Sequence, residues 1–105
     1  MIKAGIYGKG YHNLSIAIKR RESFTTSGAF SAFSNPHSGI VTSGQLNDYE
    51  RSFFDAARMV GFKYVIYSYD TPIYWETVDG GRHTVEQKFS VTTSRHQGLL
   101  YLLDM

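Results

Sequence analysis

The chain has 105 residues, 42% of them hydrophobic and 19% charged, enough apolar material for one core and too little length for a second. Its net charge of +2 is too small to act by itself as an electrostatic footprint for nucleic acid, and the lack of cysteine excludes a disulfide scaffold and thiolate metal ligands. The first residues do not read as a signal peptide and no apolar run approaches the roughly 20 residues of a membrane span, so one soluble, cytoplasmic domain is expected over residues 1–105. Aromatic residues are the outlier: eight Tyr, seven Phe and one Trp lean toward a pleated, half-buried sheet.

Residues 2–8 and 14–19 are expected to form two strands joined by a glycine-rich turn. Leu14, Ile16 and Ile18 alternate with Ser15, Ala17 and Lys19, the period of a half-buried strand. On that reading Gly5, Gly8 and Gly10 belong to a hairpin turn and not to a phosphate-binding loop, because a strand should follow them in place of a helix. Residues 23–44 are rich in Ser, Thr, Gly and Asn. Phe24, Phe30 and Phe33 should hold them against the core, with one short strand near residues 29–33 and a turn from Asn35 to Gly39.

The spacing predicts a helix over residues 47–60. Asn47 and Glu50 stand at capping-box distance, and Gly61 supplies the residue that can end the helix. Leu46, Tyr49, Phe53, Ala56, Ala57 and Val60 recur at helical intervals and are expected to face the core, with Asp48, Arg51, Asp55 and Arg58 on the other side.

Residues 62–69 then read as a central strand covered on both faces, since β-branched and aromatic residues run without polar alternation. Pro72 cannot donate to a ladder, so Asp70, Thr71 and Pro72 should bend or break the strand. The chain resumes over residues 73–78, turns at Asp79, Gly80 and Gly81, and returns over residues 83–93, where Val85, Phe89, Val91 and Thr93 alternate. Residues 99–103 fit either a short helix or a buried final strand, and their lack of helical amphipathicity favours the strand. The fold class is therefore α+β: an antiparallel, aromatic-rich sheet of about five strands with one main amphipathic helix packed on it.

Two polar stretches carry what chemistry there is. Ser68, Tyr69, Asp70 and Thr71 form the first, and Thr92, Thr93, Ser94, Arg95, His96 and Gln97 the second. Each follows a strand-like run, so each is placed at a strand end, and a bulge at Pro72 would bring both to one end of the sheet. With Tyr74 and Trp75 they make the candidate binding surface, although Trp75 and its flanking tyrosines equally suit a core. Arg95 and His96 beside hydroxyls suit a phosphate, and a second base such as His83, His12 or Asp70 would make acid–base cleavage of RNA imaginable. The plainer alternative has Ser94 and Gln97 capping a turn, Arg95 paired with a carboxylate and His96 on a backbone carbonyl. His12, His37, His83 and His96 match no metal-ligand spacing, and no catalytic triad can be built, so no metal, cofactor or catalytic residue is assigned.

At Tyr67-Ser68-Tyr69-Asp70-Thr71-Pro72-Ile73-Tyr74-Trp75 and again from Lys88 to Gln97, the chain resembles small domains of unknown function of the DUF8033 type, known from actinobacteria and their phages. The resemblance spans about residues 24–98. Tyr74 stands where that pattern has a small residue, and the aromatic often found after the hairpin turn is missing around Arg82 and His83. The resemblance implies a phage- or actinobacterium-type protein with no established catalytic role. A non-enzymatic module that binds a host or phage protein and modulates its machinery is expected, as monomer or homodimer. The alternatives are a nucleic-acid-binding protein or metal-independent nuclease using Arg95 and His96, and an assembly protein that dimerises through an edge strand.

Overall fold

A computed structural model of the chain describes residues 1–104, apart from the side chain of Ser38. Among these residues six strands form one sheet, with spatial order following the chain: β1 (Ile2–Ala4), β2 (Phe24–Thr26), β3 (Phe30–Ser34), β4 (Phe62–Ser68), β5 (Thr71–Thr77) and β6 (Arg82–Thr84). β1 and β2 are parallel and every other neighbouring pair is antiparallel. Three helices, α1 (Gly8–Lys19), α2 (Asp48–Val60) and α3 (Val91–Gln97), cover the sheet together with 3₁₀ turns at Ser38–Ile40 and Leu100–Asp104.

The expected centre is present. Every residue of β5 and every residue of β4 except Lys63 is buried. Side chains alternate across a strand, so two cores form. Tyr64, Ile66 and Tyr74 join Leu14, Ile18, Phe30 and the C-terminal leucines on one face. Val65, Tyr67 and Trp75 join Phe54, Ala57 and Leu46 on the other, under α2.

Residues 8–19 are a helix, which corrects the expected turn and strand. The buried positions Leu14, Ala17 and Ile18 stand at helical spacing, and Ile16 is only partly covered, so the alternation at 14, 16 and 18 was a helical stripe read at the wrong period. The glycines concealed the helix. A Cβ on Gly10 would lie 2.7 Å from the Gly5 nitrogen, so the first turn of α1 presses against the exit of β1 with no room for a side chain. The Gly5 N–H donates to the Gly10 carbonyl at 3.0 Å across this contact. β1, α1 and β2 thus form a parallel βαβ unit, and β2 is a strand the sequence reading lacked.

The helix at residues 47–60 is confirmed in extent, with Asn47 Oδ1 accepting the Glu50 N–H at 2.8 Å and Gly61 at φ 112°. Its orientation differs. Glu50, Phe54 and Ala57 face the sheet, while Tyr49, Phe53 and Val60 are exposed. The cause is Glu50, whose carboxylate accepts from His83 Nε2 and from the Glu86 N–H, each at 2.8 Å. A buried acid must keep such partners, and holding them rotates the helix away from its apolar stripe.

Pro72 lies inside β5 and does not end it. The chain turns one step earlier, at Tyr69 (φ 58°) and Asp70, and pairing skips Ile73 beside the proline. The turn at Asp79, Gly80 and Gly81 is where it was expected, but β6 stops at Thr84. Residues 85–90 have no regular structure, and Ser90 Oγ accepts the Thr93 N–H at 3.2 Å to start α3 where a strand was expected. Residues 99–103 form no strand: Leu100, Leu102 and Leu103 are buried from a 3₁₀ turn whose Leu103 carbonyl accepts from the Arg21 guanidinium at 3.4 Å. No described helix is long and apolar enough to cross a membrane.

Gly10→Ala is expected to lower stability by about 1–3 kcal/mol, because the β1 exit must move. Gly28→Ala, whose Cβ would meet only Thr26 Oγ1 at 3.9 Å, should be near neutral. Urea unfolding of the two variants checks the contrast, and equal midpoints would refute it.

Candidate functional site

Ser68 closes β4 and Thr71 opens β5, so the first polar stretch is the tight connection between the two most buried strands. Against it packs α3. Ser68 Oγ lies 2.7 Å from His96 Nδ1 and 2.9 Å from Thr93 Oγ1. The two polar stretches therefore converge, but the second arrives on a helix and not at the end of a paired strand. Thr93 and His96 are three residues apart, which puts both on one face of α3.

Ser90 donates to Thr93 Oγ1 at 3.3 Å, and Ser68 Oγ joins that hydroxyl to His96 Nδ1 in one hydrogen-bonded chain. The ring nitrogen donates or accepts in it according to the imidazole tautomer. The ring stacks on Phe30 with centroids 4.8 Å apart and is 4% exposed. Burial first, and the nearby Arg95 charge second, hold its pKa below the usual histidine value of 6.5, so it is neutral at pH 7.

Around this cluster lies a cleft of about 410 Å³ walled by Gln45, Ser68, Thr71, Gln87 and Thr93. Its polar groups are largely engaged with one another. Thr71 Oγ1 accepts the Gln45 N–H at 2.9 Å, Gln87 Nε2 donates to the Gln45 carbonyl, and Gln97 Nε2 donates to the carbonyls of Val85 and Gln87. Gly44 (φ 50°) makes the clamp possible, since a Cβ there would stand 2.5 Å from the Asp70 carbonyl and from Thr71 Oγ1.

Of the remaining candidates, Tyr69 and Asp70 project from the turn, and Thr92, Ser94 and Arg95 lie on the exposed face of α3. Tyr74 and Trp75 are interior. The Tyr74 hydroxyl donates to Glu76 at 2.5 Å and accepts from Arg82 Nε at 2.7 Å, and burial followed by the Glu76 carboxylate pushes its pKa well above the usual tyrosine value. Trp75 stacks on His83 at 4.8 Å, and His83 in turn on Phe53 at 4.7 Å. The histidines are dispersed, and among the described residues no three His, Asp or Glu side chains gather closely enough to hold a metal ion.

The profile of a family of unknown function, DUF8033, matches residues 12–102. The chain belongs to that family. No curated protein and no solved structure matches it. The matched span reaches beyond the two polar motifs to most of α1 and to Leu100 and Leu102, so it includes much of the cover of one sheet face.

Two features escaped the sequence reading. One is the outward stripe of α2, legible only by asking where the acid at Glu50 would point. The other is a second cavity where His96 meets the loops after β1 and β2.

Because the folded protein holds His96 below 6.5, the unfolded chain binds the proton more readily. Stability from this group is complete above 6.5 and is lost as pH falls through the folded pKa. Wild type should therefore lose more stability than His96→Gln between about pH 7 and pH 5, measured by urea midpoints. Parallel losses in the two proteins would show that His96 is not the titrating group. Ser68→Ala, which leaves Nδ1 and Thr93 without their partner, should cost about 1–3 kcal/mol.

Proposed function

We propose that this protein is a binding module that takes an extended segment of a partner protein along β6, beneath the outer face of α2. The observation that carries this reading is the apolar stripe on that helix. Tyr49, Phe53, Ala56 and Val60 repeat at helical spacing and face solvent, with Tyr49 70% and Phe53 41% exposed. Met59 adjoins them at 88% exposure. Large apolar side chains gathered on one face mark interaction sites far more often than single ones do.

The neighbouring backbone supports an extended occupant. β6 is the last strand in the sheet order, and no described strand pairs with its outer side. Its free N–H and C=O groups form a template for strand addition. Phe53 lies over His83 of β6, which places the stripe above that edge. An added strand would present alternate side chains to Tyr49 and Phe53 and the others to solvent. A groove of about 230 Å³ between Phe53, Val60 and Trp75 offers room for one apolar anchor.

The test is selection from a displayed random-peptide library. Enriched peptides should alternate apolar and polar residues, slow amide exchange at Arg82 and Thr84, and bind about tenfold or more weakly to a Tyr49→Glu, Met59→Glu double variant. Both substitutions are at exposed positions, so circular dichroism should be unchanged. Absence of enrichment, or peptides indifferent to the double variant, would overturn the reading. Light scattering that shows dimers lost in the same variant would instead give this edge to a second copy of the chain.

A further inference from the structure

With residues 8–19 wound as a helix, charges that are scattered in the sequence come together. Of the eleven Lys and Arg residues, five stand in residues 1–22 against one acid, Glu22, while the rest of the chain carries six against eight. Lys9, His12, Ile16, Lys19 and Arg20 recur at helical intervals on one side of α1 and its cap, opposite the buried Leu14, Ala17 and Ile18. Lys9, His12, Lys19 and Arg20 are exposed, and among the described residues no carboxylate pairs with any of them. Helix stability does not account for Lys9. A cation in the first turn lies at the positive end of the helix dipole, where α2 places Asp48 and Glu50. A second feature adjoins this stripe. The Tyr11 and Tyr101 hydroxyls share a hydrogen bond, which sets the Tyr101 ring, 52% exposed, beside α1. A hollow of about 200 Å³ opens between the helix and that C-terminal turn, lined by Ser15, Ile16, Lys19 and Leu102.

We infer that this side of α1 binds single-stranded nucleic acid, with Lys9, Lys19 and Arg20 on backbone phosphates and Tyr101 stacking on a base. From Lys9 to Arg20 the face runs about 16 Å, long enough for several phosphates of one strand. The exposed ring favours an unpaired strand, because bases within a duplex are already stacked on each other. A bilayer surface fits less well. Helices that lie on membranes bury bulky apolar side chains in them, and Ile16 is the one such residue in this stripe and is itself partly covered. An acidic peptide would meet the charges and leave the ring and the hollow unused. Arg95 and His96 suggested phosphate in the sequence, but His96 is buried against Phe30, and the cations that a strand can reach are those of α1. This side of the molecule lies across the sheet from α2, so it is independent of the peptide edge at β6.

Fluorescence anisotropy with labelled RNA and DNA oligonucleotides of about 12 nucleotides, as single strands and as duplexes, tests this. Single strands should bind more tightly than duplexes, and log K should fall against log salt with a slope of roughly −2 for three neutralised phosphates. Lys9→Gln and Lys19→Gln together should weaken binding about tenfold or more and flatten the slope to roughly −0.7. Both lysines are exposed and unpaired, so circular dichroism and the thermal midpoint should be unchanged. Lys63→Gln with Lys88→Gln, which removes the same charge elsewhere, should bind as wild type does. Tyr101→Leu should weaken the single strand about fivefold or more and leave the duplex unaffected. The tighter of RNA and DNA identifies the strand. No binding at low salt up to about 1 mM protein, equal losses in the two lysine pairs, or capture by anionic lipid vesicles or polyglutamate in place of the oligonucleotides, would overturn the inference.

Discussion

A pair of strands buried on both faces cannot be stabilised by one covering layer, and that constraint on β4 and β5 organises the rest of the molecule. α2 covers Val65 and Trp75, and α1 with the C-terminal leucines covers Ile66 and Tyr74. The polar side chains caught between these layers then need partners within the protein. Three of them find one in a covering segment. Ser68 meets Thr93 and His96 of α3, Thr71 meets the loop at Gln45, and Glu76 pairs with Arg21 at 2.8 Å just beyond α1. Across the described residues no fully buried side-chain nitrogen or oxygen lacks a partner. The layers are therefore positioned by specific bonds as well as by apolar contact, which favours one packing over its near alternatives.

How much of this the sequence disclosed depended on how local the cause was. The extent of α2 follows from Asn47, Glu50 and Gly61, all in or beside the helix, and it was legible. Its orientation follows from His83 and Glu86, more than 30 residues away in the chain, and was not. α1 was lost because Gly10 is there for a backbone approach that exists only after folding. In residues 83–93 a period-2 pattern outweighed the Ser90 cap, yet the cap decided the structure. The meeting of the two polar motifs was anticipated, although by a strand route that does not exist. Convergence depended on both motifs being near β4, and a helix met that requirement as well as a strand.

The two faces present different chemistry as a result. Most of the polar side chains that made the motifs conspicuous are spent on each other, so the cleft they wall is a structural joint. What remains available lies on the covering helices: an apolar stripe of α2 over one face, and a basic one of α1 over the other. Polarity in a sequence marks groups that need partners, and a fold can meet that need internally.

The C-terminal turn has a consequence for how the chain is made. Leu100, Leu102 and Leu103 share a core with Leu14 and Ile18, so residues from the two extremes of the described chain complete one surface. During ribosomal synthesis the apolar side of α1 emerges early and stays only partly covered until these leucines follow, some 80 residues and several seconds later at about 5–20 residues per second. The β4–β5 hairpin, with its two-residue connection, can form in microseconds once it is free. A nascent chain stalled before Leu100 would therefore leave open to solvent the part of the Leu14 and Ile18 core that the C-terminal leucines fill.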